Sequence, residues 1–216
     1  MTIIWHGFSC IKFIESTKDG DLTVLVDPFK EETGVKTPRS LSADIVISSV
    51  DMSRHNNVGD VDGKPFVVST SGEFEVKDIF VTSLEHSEED AKGKRVVHSL
   101  PYITMSDMHI LHLGGIKTAL SEKEMENIGA VDVLCIPVGG GDAMSPAVAA
   151  GLVRELEPRV IIPMYYKADG FGAGLEPVDA FLKAVGMAKT EIVAKYKLTK
   201  KDLPQEDTML VLLEPQ

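Results

Sequence analysis

The rhythm of apolar runs changes part-way along the chain, and this constrains the fold more than any other feature. The first half holds short β-rich runs at residues 2–5, 9–15, 22–26, 44–48, 65–69, 78–84, 101–105 and 109–113. Gly7 breaks the first pair, and Lys18-Asp19-Gly20-Asp21 is a hairpin-type turn. From residue 121 helices alternate with continuous apolar runs. Residues 121–128 read as a helix with Ser121 as N-cap and Glu124 three residues on, a capping box. Residues 145–156 carry Ser145 as N-cap and Pro146 at the first helical position, and residues 176–185 form a third helix ended by Gly186. Between and after them lie strands at 131–137, 159–164 and 208–213. Strands that are apolar throughout need helices over both sheet faces. The pattern predicts an α/β (α+β) fold. One domain is expected over residues 1–216, with no linker or repeat.

Charge narrows the partners. Twenty-two basic against 33 acidic residues leave a formal charge of −11. Such a chain repels polyanions, so no nucleic-acid partner is expected. No window reaches the roughly 18–20 apolar residues that span a bilayer, and residues 1–15 lack the basic start of a signal peptide. A cytoplasmic protein with no membrane partner is the expectation. Cys10 and Cys135, each within an apolar run, are expected to be buried free thiols.

Several catalytic signatures fail on inspection. Gly114-Gly115-Ile116-Lys117-Thr118 has Ile where a phosphate-binding loop needs Gly before its Lys. Gly170-Phe171-Gly172-Ala173-Gly174 lacks the last Gly of a dinucleotide loop, and Gly7-Phe8-Ser9-Cys10-Ile11 lacks the second Gly of a nucleophile elbow. The loop Gly139-Gly140-Gly141-Asp142 carries more weight. It follows a strand's carboxyl end, where open α/β sheets bind ligands, and successive Gly amides can form an anion nest.

Taken in order, Ile3-Ile4-Trp5-His6-Gly7-Phe8-Ser9-Cys10, Val24-Leu25-Val26-Asp27-Pro28-Phe29, Ala43-Asp44-Ile45-Val46-Ile47-Ser48-Ser49, Leu111-His112-Leu113-Gly114-Gly115 and Ile161-Ile162-Pro163-Met164-Tyr165-Tyr166 resemble the metallo-β-lactamase superfamily. The branch is that of metal-dependent hydrolases similar to ascorbate-phosphate lactonase, and the resemblance covers nearly the whole chain. It implies a four-layer αβ/βα sandwich with the site at one edge. It also implies a zinc or manganese centre held by a His-x-His-x-Asp-His run, a His on a later loop, an Asp after His-Leu-Gly and a His after Ile-Pro-Met. A metal-bound hydroxide would then attack the substrate.

The expected ligands are mostly replaced. The run reads Val50-Asp51-Met52-Ser53-Arg54-His55, so only its last His remains. Gly115 stands at the later Asp position and Tyr165 at the final His, while His86 is the candidate for the loop His. Val and Gly offer no donor, and Met offers only a soft thioether. Arg54 is permanently cationic; at about 4 Å it costs a bound cation on the order of several kcal/mol at an effective dielectric near 20.

The expectation is therefore a hydrolase-like protein without metal-dependent activity and with no cofactor. Asp51, His55 and His86 are the residues left for a weak mononuclear site. Arg54, His55, His86, Tyr165, Lys167, Gly140 and Gly141 are the candidates for a pocket that takes a small anionic ligand, with Arg54 as a bidentate anchor. The bland alternative is that Arg54 pairs with Asp51, Asp27 or another local acid. A scaffolding role, including that of a homo-oligomer subunit, stays open. So does an active lactonase or phosphoesterase with a rebuilt mononuclear or metal-free site, using His55 or His86 as base and Tyr165 as proton donor. Asp27 is expected to accept backbone hydrogen bonds at a strand end. Glu85, Glu88, Glu89 and Asp90 are expected to form a solvated loop. His109 and His112 should face opposite sides of one strand.

Overall fold

A computed structural model describes residues 1–30, 41–52, 54–168 and 172–216. Ser53, Gly170 and Phe171 of the motifs above lie outside the described residues. The first sheet has the order β13-β1-β2-β3-β4-β5. Its members are β1 (Thr2–Gly7), β2 (Cys10–Thr17), β3 (Gly20–Val26), β4 (Ile45–Ile47), β5 (Phe66–Val68) and β13 (Tyr196–Lys197). The second has the order β14-β11-β10-β9-β8-β7-β6. It contains β6 (Gly72–Val76), β7 (Ile79–Glu89), β8 (Arg95–Met105), β9 (Met108–His112), β10 (Val133–Pro137), β11 (Val160–Met164) and β14 (Met209–Leu210). β12 (Ile192–Val193) and β15 (Leu212–Leu213) pair with each other. The apolar faces of both sheets contribute to one buried cluster, from Ile3, Trp5 and Phe13 to Ile103, Ile110 and Ile161. The architecture is the αβ/βα sandwich.

The turn at residues 18–19 joins β2 and β3 as an antiparallel hairpin. In the second half, β9, β10 and β11 are parallel, and α2 (Pro146–Leu156) makes the crossover from β10 to β11. Ser145 caps α2 by accepting from the Val148 amide. α3 (Val178–Val185) starts two residues later than the pattern suggested, because Pro177 serves as its N-cap, and it stops at Gly186 with φ 77°. Both cysteines are buried free thiols.

Three expectations need correction. Residues 85–89 are not a solvated loop: β7 runs through Glu89, paired with β8 so that His86 faces His98 and Ser87 faces Val97, and only Asp90 lies in the turn that follows. The acidic residues alternate in and out, which permits a strand despite their charge. The helix expected over 121–128 is one turn, α1 (Glu122–Met125), and its capping box forms as expected. The closing run splits at Val211, sending β14 to the second sheet and β15 to the small pair.

Candidate functional site

The site lies where three strand ends meet: the ends of β1 and β3 and the loop after β11. Its backbone is strained. Phe8, Asp27 and Tyr165 have φ of 46°, 52° and 56°. Non-glycine residues reach this left-handed region at a cost, and such residues cluster at functional sites. The bends hold because other groups fix them. The Phe8 carbonyl accepts from both the Tyr165 amide at 2.9 Å and the Trp5 indole at 2.8 Å. The Asp27 amide donates to the Ile47 carbonyl at 2.8 Å.

Asp27 is fully buried, and its carboxylate is the hub of the inner part of the site. Oδ1 accepts from the Ser49 amide at 2.7 Å and Oδ2 from the Ser49 hydroxyl at 2.8 Å. Oδ2 also lies 2.9 Å from His55 Nδ1. Burial alone would raise the carboxyl's pKa, but His55, His112 and the Ser49 amide outweigh it and hold it below the usual range. The expected backbone acceptor role is present, and the sequence did not reveal the added hold on His55. Ser9 Oγ lies 2.9 Å from the same Nδ1. Ser9, Asp27 and His55 therefore do not form a nucleophile–base–acid relay, in which serine and carboxylate sit on different ring nitrogens.

His112, fully buried on β9, tightens the frame. Its Nε2 is 2.8 Å from the Ser9 carbonyl and its Nδ1 accepts from the Gly114 amide at 3.1 Å. These partners require the neutral tautomer with the proton on Nε2. His109, on the same strand, has a side chain 41% exposed, so the two do face opposite sides.

A cavity of about 440 Å³ opens over His55 and is lined in part by Val50, Met52, Arg54, His98, Lys117 and Tyr165. The Tyr165 ring stacks on His55, with centroids 6.0 Å apart and planes 15° apart. Arg54 lies over the Phe8 ring, 5.3 Å from its centroid. Its Nη1 donates to Asp142 Oδ2 at 3.0 Å and reaches the Tyr165 hydroxyl at 3.4 Å. Burial raises the Tyr165 phenol above its ordinary value, so it remains a proton donor. The local acid that pairs with Arg54 is thus Asp142, not Asp51 or Asp27. Lys117 lies 3.8 Å from the same carboxylate.

The remaining candidates scatter. Asp51 is exposed and bonded by Asn56. His86 is buried on β7 away from the cavity lining: Nδ1 is 2.7 Å from Glu124 Oε1 and Nε2 is 3.0 Å from Thr118 Oγ1. Asp51, His55 and His86 therefore do not meet, and among the described residues no three His, Cys, Asp or Glu side chains are placed to hold a metal ion. Lys167 is exposed, and its amide donates to the Glu176 carbonyl. The Gly140 amide is spent on the Met144 carbonyl, which removes one donor from the expected nest. Gly141 borders a second recess beside Arg54. Asp142, Lys117, Glu88 and His98 were missed as cavity residues. Glu88 sits under the cavity wall, accepting from the amides of Lys117 and Thr118 at 2.9 and 3.2 Å. His98 Nε2 lies 3.2 Å from Glu88 Oε1, outside hydrogen-bond alignment.

Residues 2–165 match the family model described as a beta-lactamase superfamily domain. The chain belongs to this superfamily. A UPF0173 protein of Pyrococcus abyssi is 25% identical over 197 residues, covering 80% of this chain and 87% of the relative. A UPF0173 metal-dependent hydrolase of Listeria monocytogenes is also 25% identical, covering 77% and 85%. A metallo-beta-lactamase superfamily structure from Thermotoga maritima has a TM-score of 0.75 and 26% identity, covering 98% and 97% of the two chains.

The superfamily implies a metal, and the residues at this site do not fit one. Val50 and Gly115 bring no donor atoms, Met52 brings a thioether, and Arg54 brings a cation. A side chain at position 115 would also have no room. A Cβ there would stand 2.7 Å from His55 Cε1 and 3.0 Å from His55 Nε2. His55 thus occupies space that an aspartate at 115 would need.

Proposed function

We propose that this member of the metal-dependent hydrolase superfamily does not use metal-activated hydroxide, and that its cavity serves as a binding site for a small anion. The observation that carries this reading is Arg54, whose guanidinium lies between the Phe8 ring, Tyr165 and Asp142, over a cavity lined by Val50, Met52, His55 and Gly115, the positions at which the resemblance sets metal ligands. A guanidinium supplies fixed positive charge and paired donors for a phosphate or carboxylate.

Asp142 is the internal competitor. Its side chain is 62% exposed and holds both Arg54 and Lys117. An entering anion exchanges places with this carboxylate, which swings to solvent at small cost because exposed ion pairs are weak. Glu88, Glu89 and Asp90 also line the cavity. They limit the anion to one that contacts the guanidinium directly. Thermal unfolding with and without inorganic phosphate or acetate tests the reading. Either anion should raise the melting temperature of the wild type, less so for Arg54→Ala and more so for Asp142→Asn. Equal shifts in all three proteins would overturn it.

Hydrolysis without a metal is the second reading. It is favoured by one feature of His55, whose outer nitrogen makes no hydrogen bond with the described residues.

A further inference from the structure

The feature is an asymmetry in the His55 ring. Nδ1 is held twice, by Asp27 Oδ2 and Ser9 Oγ at 2.9 Å each. Nε2 makes no hydrogen bond with the described residues, and it is absent from the buried polar atoms that lack partners. It therefore reaches the cavity that His55 lines. Among the described histidines, His86 and His112 have both ring nitrogens occupied.

The tautomer follows from the partners. Asp27 is a buried carboxylate whose two oxygens already accept from Ser49. An ionised carboxylate is acceptor-only, so the proton between Asp27 and His55 resides on Nδ1. That leaves a lone pair on Nε2, directed away from the carboxylate and into the cavity. The ring cannot turn freely, because Tyr165 stacks on one side and Gly115 closes to a space too small for a Cβ. The strained φ of Asp27 fixes the carboxylate itself.

From this geometry we propose that Asp27 and His55 form a metal-independent proton acceptor, in which His55 Nε2 takes a hydrogen bond or a proton from an O–H or N–H group of a small molecule in the cavity. This rests on the metal-free reading above, because a cation bound at Nε2 would consume the lone pair. Asp27 acts through His55 and is a positioning residue. It holds the ring in one tautomer and stabilises the imidazolium that forms when Nε2 takes the proton. The class of ligand is thereby narrowed to protic small molecules. An ether or a fully substituted amide has nothing to give Nε2.

Two measurements on the full-length protein test this. Ring nitrogen NMR of the wild type near neutral pH should show His55 protonated on Nδ1 and bare on Nε2. Diethyl pyrocarbonate then probes the lone pair chemically. Nε2 attacks one carbonyl carbon, the bond to the bridging oxygen breaks, and ethyl carbonate leaves and decays to ethanol and carbon dioxide. Peptide mass mapping reads the added carbethoxy group. In Asp27→Asn the amide nitrogen faces Nδ1 and donates to it, so the proton moves to Nε2; the His55 acylation rate should fall about tenfold or more, while exposed His109 reacts as before. Gly115→Ala should protect His55 by crowding.

A wild-type His55 carrying its proton on Nε2 would overturn the proposal, with no variant needed. Equal acylation of wild type and Asp27→Asn would overturn it too. Metal content is measured on the same samples. If His55 is unreactive until a chelator strips a stoichiometric cation, the metal-free reading fails; if it is unreactive with no metal present, only the proton-acceptor proposal fails.

Discussion

His55 and His86 are both buried beside a carboxylate, yet only His55 has a nitrogen to spare. His86 sits on β7 between Glu124, Thr118 and Glu88, and its two nitrogens are spent tying β7 to α1 and to the loop before it. His55 spends one nitrogen on Asp27 and Ser9 and turns the other to a cavity. Burial and charge are similar at the two places. The number of partners differs, and partner saturation separates a clamp from a site.

The largest effect should come from breaking the clamp. His86 has a side chain 3% exposed and loses two close partners in His86→Ala. Removing one member of a buried charged pair should cost about 3 kcal/mol, read by urea unfolding. The acylation of His55 should stay at the wild-type rate. If His55 reactivity falls as far as stability does, the two histidines belong to one unit and the comparison fails.

Gly115→Ala comes next. Its Cβ would press on the His55 ring at 2.7 Å. Overpacking of this kind costs about 1–3 kcal/mol, and here the strain falls on the site and spares the clamp. Unfolding midpoints should drop while the His86 ring signals stay in place.

The pH dependence of the clamp is smaller and has a definite sign. Burial alone would lower the His86 pKa, but Glu88 and Glu124 outweigh it and raise the group above its ordinary 6.5. A raised histidine stabilises fully below pH 6.5, and that stability is lost as pH rises through the folded value. For Glu88 and Glu124 burial works upward, and it is outweighed: His86, His98 and the Lys117 amide hold Glu88 below its ordinary 4.5, and the Ser121 hydroxyl and amide together with His86 do the same for Glu124. Their contribution is present above pH 4.5 and is lost as pH falls. The clamp should therefore contribute most between pH 4.5 and 6.5. The wild-type stability profile should lose this maximum in His86→Gln; an unchanged profile would place the proton elsewhere.

Arg54→Ala should change stability least. Its pair with Asp142 joins side chains 37% and 62% exposed, and such pairs are worth less than about 1 kcal/mol. A near-zero change in unfolding free energy, together with weaker phosphate binding, would separate binding from stability at this residue.

Much of the fold was legible because its signals are local. The turn at residues 18–19, the Ser145 cap and the Gly186 stop each depend on a few neighbouring residues. β7 was misread beyond Leu84 because its acidic half looks like loop, and only pairing with β8 makes it a strand. At the site, the identities of Val50, Met52, Arg54 and Gly115 can be read directly off the sequence. The site's contacts cannot. Arg54 meets Asp142 across 88 residues of sequence, and His55 meets Asp27 across 28 and Ser9 across 46. No spacing rule links them. Tertiary folding at three strand ends does.

On the metal-free reading proposed above, His55 keeps its outer nitrogen because no cation takes it. Zinc titration of the chelator-free protein, followed through the His55 ring nitrogen signals, tests this most directly. The signals should stay in place, with less than one zinc retained per chain after dialysis. One or two zinc ions held per chain, with His55 shifted on binding and the metal lost in His55→Ala, would contradict it.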